Sequence, residues 1–190
     1  FAVLGIALTL VGACGGGGSS QPAAPPAPPP TAPPPTPPPT TPPTTPSLAA
    51  VRISGASPFA AGCSAAGPSG TVYVNAEVEA SAAANPVNPS NLVAAWQQDR
   101  WSDGGAQGLV AAASFDGGLT WTPSAPPFSA CSGATGAGGT PYQRATDPWV
   151  TFAADGTAYF MALAFTGPSF GANSANAMLV ARSTDGGRTW

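Results

Sequence analysis

Ser183-Thr184-Asp185-Gly186-Gly187-Arg188-Thr189-Trp190 decides how the rest of this chain is read. A near copy stands upstream, Ser114-Phe115-Asp116-Gly117-Gly118-Leu119-Thr120-Trp121, with its aspartate 69 positions before Asp185. Each copy follows a strand-forming run, Leu109-Val110-Ala111-Ala112-Ala113 or Met178-Leu179-Val180-Ala181. The pattern Ser-x-Asp-x-Gly-x-Thr-Trp predicts a β-hairpin turn. Its carboxylate accepts hydrogen bonds from amides of its own turn, and its glycines take dihedrals that a Cβ penalises. Its Thr hydroxyl closes the loop and its Trp covers the base. Ser114, Asp116, Gly118, Thr120 and Trp121, with their counterparts Ser183, Asp185, Gly187, Thr189 and Trp190, are accordingly read as structural.

The repetition extends outward from the two turns. Glu77-Val78-Glu79-Ala80 and Asp147-Pro148-Trp149-Val150 begin equivalent strands 70 positions apart. Residues 92–97 match 158–163, and 108–114 match 177–183. An internal repeat of this kind takes precedence over any local reading. Each unit offers three short strands, a tight turn, and room for a fourth strand after the Trp. Four-stranded antiparallel units repeated radially are the blades of a β-propeller, so the expectation is an all-β chain with about two blades. A β-sandwich is the rival, disfavoured because both units end in the same turn. The chain starts at Phe1 inside an apolar run and stops on the last residue of a motif, which suggests a piece of a longer polypeptide.

Three segments follow from composition. Residues 1–14 read as the end of a secretory signal: a short apolar run, then Val11-Gly12-Ala13-Cys14. This resembles a bacterial lipobox, with Cys14 as the lipidated residue and membrane lipid as its partner. Residues 15–47 are glycines followed by a Pro/Thr-rich linker, which as polyproline II reaches on the order of 75 Å. Residues 48–190 carry the folded part, within the usual size of one domain. The predicted location is a bacterial cell envelope, with the folded part outside the cytoplasm. The 190 residues include five cationic side chains, all Arg, against eight acidic ones, and no His. That excludes a nucleic-acid footprint and a Ser-His-Asp triad within this segment. No cofactor is called for. No metal is expected either, since two folded-part cysteines without His are too few ligands. Cys63 and Cys131 are read as a disulfide suited to an exported protein, worth roughly 4 kcal/mol in the chain-entropy account; the alternative is two separate thiols. Oligomeric state is left open.

Both octapeptides match the Asp-boxes, or BNR repeats, of the sialidase superfamily, and the chain is similar to that family over about residues 71–190. The resemblance implies a sialidase-type β-propeller with Asp-boxes at 114–121 and 183–190. It implies an exported, lipid-anchored exo-alpha-sialidase-like glycosidase acting on extracellular glycans, or else a non-catalytic propeller binding glycans or proteins at the envelope. The family grips its substrate carboxylate with three arginines and uses a Tyr–Glu nucleophile and an Asp acid/base. Val51-Arg52-Ile53-Ser54 resembles the element supplying the first arginine, with Ser54 in place of a Pro, and Asp99-Arg100 is the candidate acid/base region. Arg52, Asp99 and Arg100 are thus the catalytic candidates. Glu77 and Asp147 are candidate channel-lining acids, or else caps at the blade edges. Tyr142 and Arg144 lie where they would reach the channel mouth.

Overall fold

The alternation of apolar and polar residues around the two Asp turns produces strands throughout. The computed structural model describes residues 50–64, 70–135, 141–167 and 174–190, all within the unit Ser47–Trp190. The expectations placed on residues 1–47, Cys14 included, lie outside the described residues. The strands are β1 (Val72–Asn85), β2 (Asn88–Trp101), β3 (Ala106–Ser114), β4 (Thr122–Ser124), β5 (Arg144–Phe152), β6 (Ala158–Phe165) and β7 (Asn176–Ser183), with a 3-10 turn at Ala130–Ser132.

Several boundaries differ from the sequence reading. The Asn-Pro cluster after residue 85 shrinks to a tight turn, because Asn85 Oδ1 accepts from Val87 N–H at 3.0 Å and the strand resumes at Asn88. The polar run Gln98–Trp101 extends β2 beyond the 92–97 run. Residues 51–54 form no strand.

The propeller expectation is overturned. All seven strands belong to one antiparallel sheet, in the order β1-β2-β3-β5-β6-β7, with β4 pairing to β3 off this path. The second repeat joins the first where Ala106 pairs with Ala145. Both alanines are fully buried, and the neighbouring Gly105, at φ 66°, leaves the space that Phe165 occupies. Small side chains at the junction let the two backbones meet edge to edge. The repeats therefore extend a single open sheet that does not close on itself, and no ring of blades with a central channel is formed.

One core draws on both repeats. Val93, Ala95, Leu109 and Ala111 from the first cluster with Phe128, Val150, Phe160 and Ala162. Phe160 meets Phe128 and Trp190 edge-on, with centroids 5.1 and 5.5 Å apart. A second cluster, Trp96, Val110 and Ala112, is covered by Trp121 and by Ile53 and Phe59 of the segment preceding β1. Trp149, by contrast, stands 61% exposed beside Met161.

Register aligns the repeats more sharply than sequence spacing does. In β1 the ladder slips between Val78 and Ser81, and in β5 between Thr146 and Trp149. The residue inside each bulge has positive φ: Glu79 at 57° and Asp147 at 54°. Glu79, not Glu77, is thus the counterpart of Asp147. Such bulges bend a strand and re-aim its side chains.

Candidate ligand groove

β1 leaves regular pairing three times, and two of the shifts, between Tyr73 and Glu77 and between Val78 and Ser81, flank Glu77 and Glu79. The bends bring Glu77 and Glu79 to the rim of a groove of about 300 Å³, walled by Ile53, Ser54, Val78 and Trp96. Trp96 is held by its indole N–H, which donates to Gln98 Oε1 at 2.9 Å. Glu77 Oε2 accepts from Ser54 Oγ at 2.9 Å, and Ser54 Oγ in turn lies 3.5 Å from the Nε donor of Arg52. Glu77 Oε1 is buried and has no hydrogen-bond partner.

Beside the groove, β1 and β5 are tied by a polar cluster. The fully buried Gln97 donates through Nε2 to Glu79 Oε2, and to Thr146 Oγ1 at 2.8 Å. Thr146 Oγ1 donates to Asp147 Oδ1 at 3.1 Å, and Asp147 N–H donates to Glu79 Oε2 at 3.3 Å. Glu77, Glu79 and Asp147 have no arginine within salt-bridge distance among the described residues, where the ion pair present is Arg144–Asp103. The same residues hold no group of three His, Cys, Asp or Glu arranged for a metal ion.

The residues singled out as catalytic fall in separate surroundings. Arg52 is exposed near the groove. Asp99 is fully buried on β2, accepting from Ser57 Oγ at 2.5 Å, Asn75 N–H at 2.8 Å, Gln98 Nε2 at 3.1 Å and Gln107 Nε2 at 2.8 Å. With those donors it organises the protein around itself. Arg100 donates to Gly105 O at 2.8 Å and closes the β2–β3 hairpin. Arg144, 1% exposed, donates to Asp103 Oδ1 and Gly104 O, each at 2.7 Å, and its guanidinium lies 4.5 Å over the Trp101 ring. Tyr142 is buried against a separate cavity of about 430 Å³ lined by Pro127, Thr135 and Leu179. Of the expected channel residues, Glu77 and Asp147 lie near one another's surroundings through Glu79, while Tyr142 and Arg144 do not join them.

The two Asp turns are closed by matching bonds. Ser114 Oγ donates to Asp116 Oδ1 at 2.8 Å, Leu119 and Thr120 N–H donate to the same oxygen at 2.9 Å, and Thr120 Oγ1 donates to Oδ2 at 2.5 Å. Asp185 takes the equivalent bonds from Ser183, Arg188 and Thr189. The Thr120 hydroxyl, then its amide, then Ser114 hold the Asp116 carboxyl well below 3.8. Burial pushes Asp185 up, but the Ser183 and Thr189 bonds outweigh it and the carboxyl is likewise held low. Arg188 is exposed, and its guanidinium rests 3.4 Å from the centre of the Phe115 ring in the other turn. Cys63 and Cys131 are joined in a disulfide, with Cα atoms 4.9 Å apart.

Gln97, Thr146 and Glu79 were not singled out by sequence reasoning. The signal available was Gln97-Gln98 interrupting an otherwise apolar strand. In comparisons with known proteins, no family model and no curated protein matches the chain. The sialidase-like hydrolase reading, and its alternative of an Asp-box propeller binding at the envelope, are therefore corrected. The open sheet of the described residues lacks the channel they require.

Proposed function

We propose that this chain is an exported all-β domain that binds an amine-bearing cationic ligand in the Glu77–Glu79 groove. The observation that carries the reading is Glu77 Oε1, buried without a hydrogen-bond partner beside carboxylates that have no arginine within salt-bridge distance among the described residues. A buried acceptor left unsatisfied costs about 1–3 kcal/mol, more when charged, and a ligand N–H supplies the missing donor. The apolar groove wall at Ile53, Val78 and Trp96 suits the alkyl part of such a ligand. Export is supported by the Cys63–Cys131 disulfide, since such bonds persist in oxidising compartments.

Titration calorimetry with spermidine tests the reading. Binding is expected at low ionic strength, to weaken with added salt, and to disappear for fully acetylated spermidine and for Glu77→Gln. Equal heats from Glu77→Gln and the parent chain would refute it.

A further inference from the structure

Residues 50–64 run across the sheet without pairing to any strand. Two apolar side chains seat them: Ile53 and Phe59 pack on Trp96, Val110 and Ala112. The seat for Phe59 is cut by Gly108, where an added Cβ would come within 2.5 Å of the Phe59 ring. Polar ties are few. Ser54 Oγ donates to Glu77, Ser57 N–H donates to Asn75 Oδ1 at 2.7 Å, and Ser57 Oγ donates to Asp99.

The segment ends in a covalent clip, Cys63–Cys131. Gln107 connects this clip to the polar ties. Its Oε1 lies 3.6 Å from the Cys63 sulfur and 3.9 Å from that of Cys131, while its Nε2 donates to Asp99. Asp99 in turn holds Ser57. Gln107 thus packs on the disulfide with one end and holds Asp99, and through it Ser57, with the other, so the segment is fixed at its middle by hydrogen bonds and at its end by the covalent bond. Both sulfurs belong to half-buried residues.

We propose that residues 50–64 are a strap over the groove, released when the Cys63–Cys131 disulfide is reduced. A dithiol reductant attacks one sulfur and passes through a mixed disulfide. It leaves with its own two sulfurs oxidised to a cyclic disulfide, and Cys63 and Cys131 become thiols by taking up two electrons and two protons. Without the clip, the contacts left to the strap among the described residues are chiefly the two apolar side chains and the three serine-based bonds. Because Ile53 and Ser54 form one wall of the groove, release opens it on that side. This last step rests on the ligand reading above; release of the strap does not.

Hydrogen exchange on the full chain, oxidised and after dithiothreitol, tests the proposal. Reduction is expected to speed exchange at the Ser57, Phe59 and Cys63 amides at least tenfold while β2 and β3 stay protected. In the disulfide-bonded chain, Phe59→Ala is expected to raise exchange at Ser57 alone by a smaller factor. Unchanged exchange on reduction, or loss of protection across β2 and β3 together with the strap, would overturn it. A parallel spermidine titration separates the two readings. Binding that differs between the oxidised and reduced chains supports control of the groove, equal binding removes that control, and no binding by either form removes the ligand reading while exchange still judges the strap.

Discussion

Asp116 and Asp185 spend their carboxylates on their own turns, and their low pKa values tie the fold to pH. The ordinary carboxyl value is 3.8, and both aspartates lie well below it in the folded chain. Asp155 is lowered too, chiefly by the Thr157 amide. The unfolded chain therefore binds more protons than the folded one as acid is added. The stabilising contribution is whole above about pH 4 and is lost as pH falls through the folded values. Urea midpoints are expected to drop steadily from pH 4 to pH 2, and Asp116→Asn is expected to lower the midpoint at pH 6 while flattening that drop. These turns were legible in sequence because donors, acceptor and glycines lie within eight consecutive residues. Gly117 at φ 74° and Gly186 at φ 74° occupy the left-handed region where a side chain is strained. Glu79 was not legible. Its pairing with Asp147 depends on where two ladders slip, and one bulge shifts equivalence by a residue pair without leaving a mark in spacing.

Strand β2 shows what element-level reading gains and loses. Its residues 92–97 stood out by their match to 158–163, but nothing in the sequence marked Asn91. It is 1% exposed and joins both Asp turns to one point. Its Nδ2 donates to Ser114 O and to Gly186 O, each at 3.0 Å, and its Oδ1 accepts from Asn85 Nδ2 at 3.0 Å. One of those partners lies 95 positions away, so no local pattern announces it. Asn91→Ala leaves two buried carbonyls and an amide without partners. The expected loss is about 2–4 kcal/mol from the unfolding free energy measured in urea. Fluorescence should report the change at Trp190, whose indole N–H donates to Ser124 Oγ at 3.1 Å and whose turn Asn91 secures. Asp99 teaches the same lesson: the family resemblance put it forward as an acid/base, and the fold surrounds it with four donors instead.

At the scale of the molecule, the all-antiparallel character of the chain was carried by short alternating runs ending in tight turns. Its arrangement was not. Whether two repeats separate into blades or continue one sheet depends on the meeting of Ala106 with Ala145, and two alanines carry no directional signal. The disulfide has a further consequence in the language of mechanics. It closes a sequence separation of 68 residues, and β1 to β4 all lie inside that ring. Under a pull applied at residue 50 and Trp190, the covalent path runs from Cys63 straight to Cys131, so the chain enclosed between them cannot be drawn out. Fully extended, the shielded chain spans about 240 Å. Single-molecule stretching is expected to release that extra length only after reduction, so the bond sets the limit to which the first half of the sheet can be unravelled.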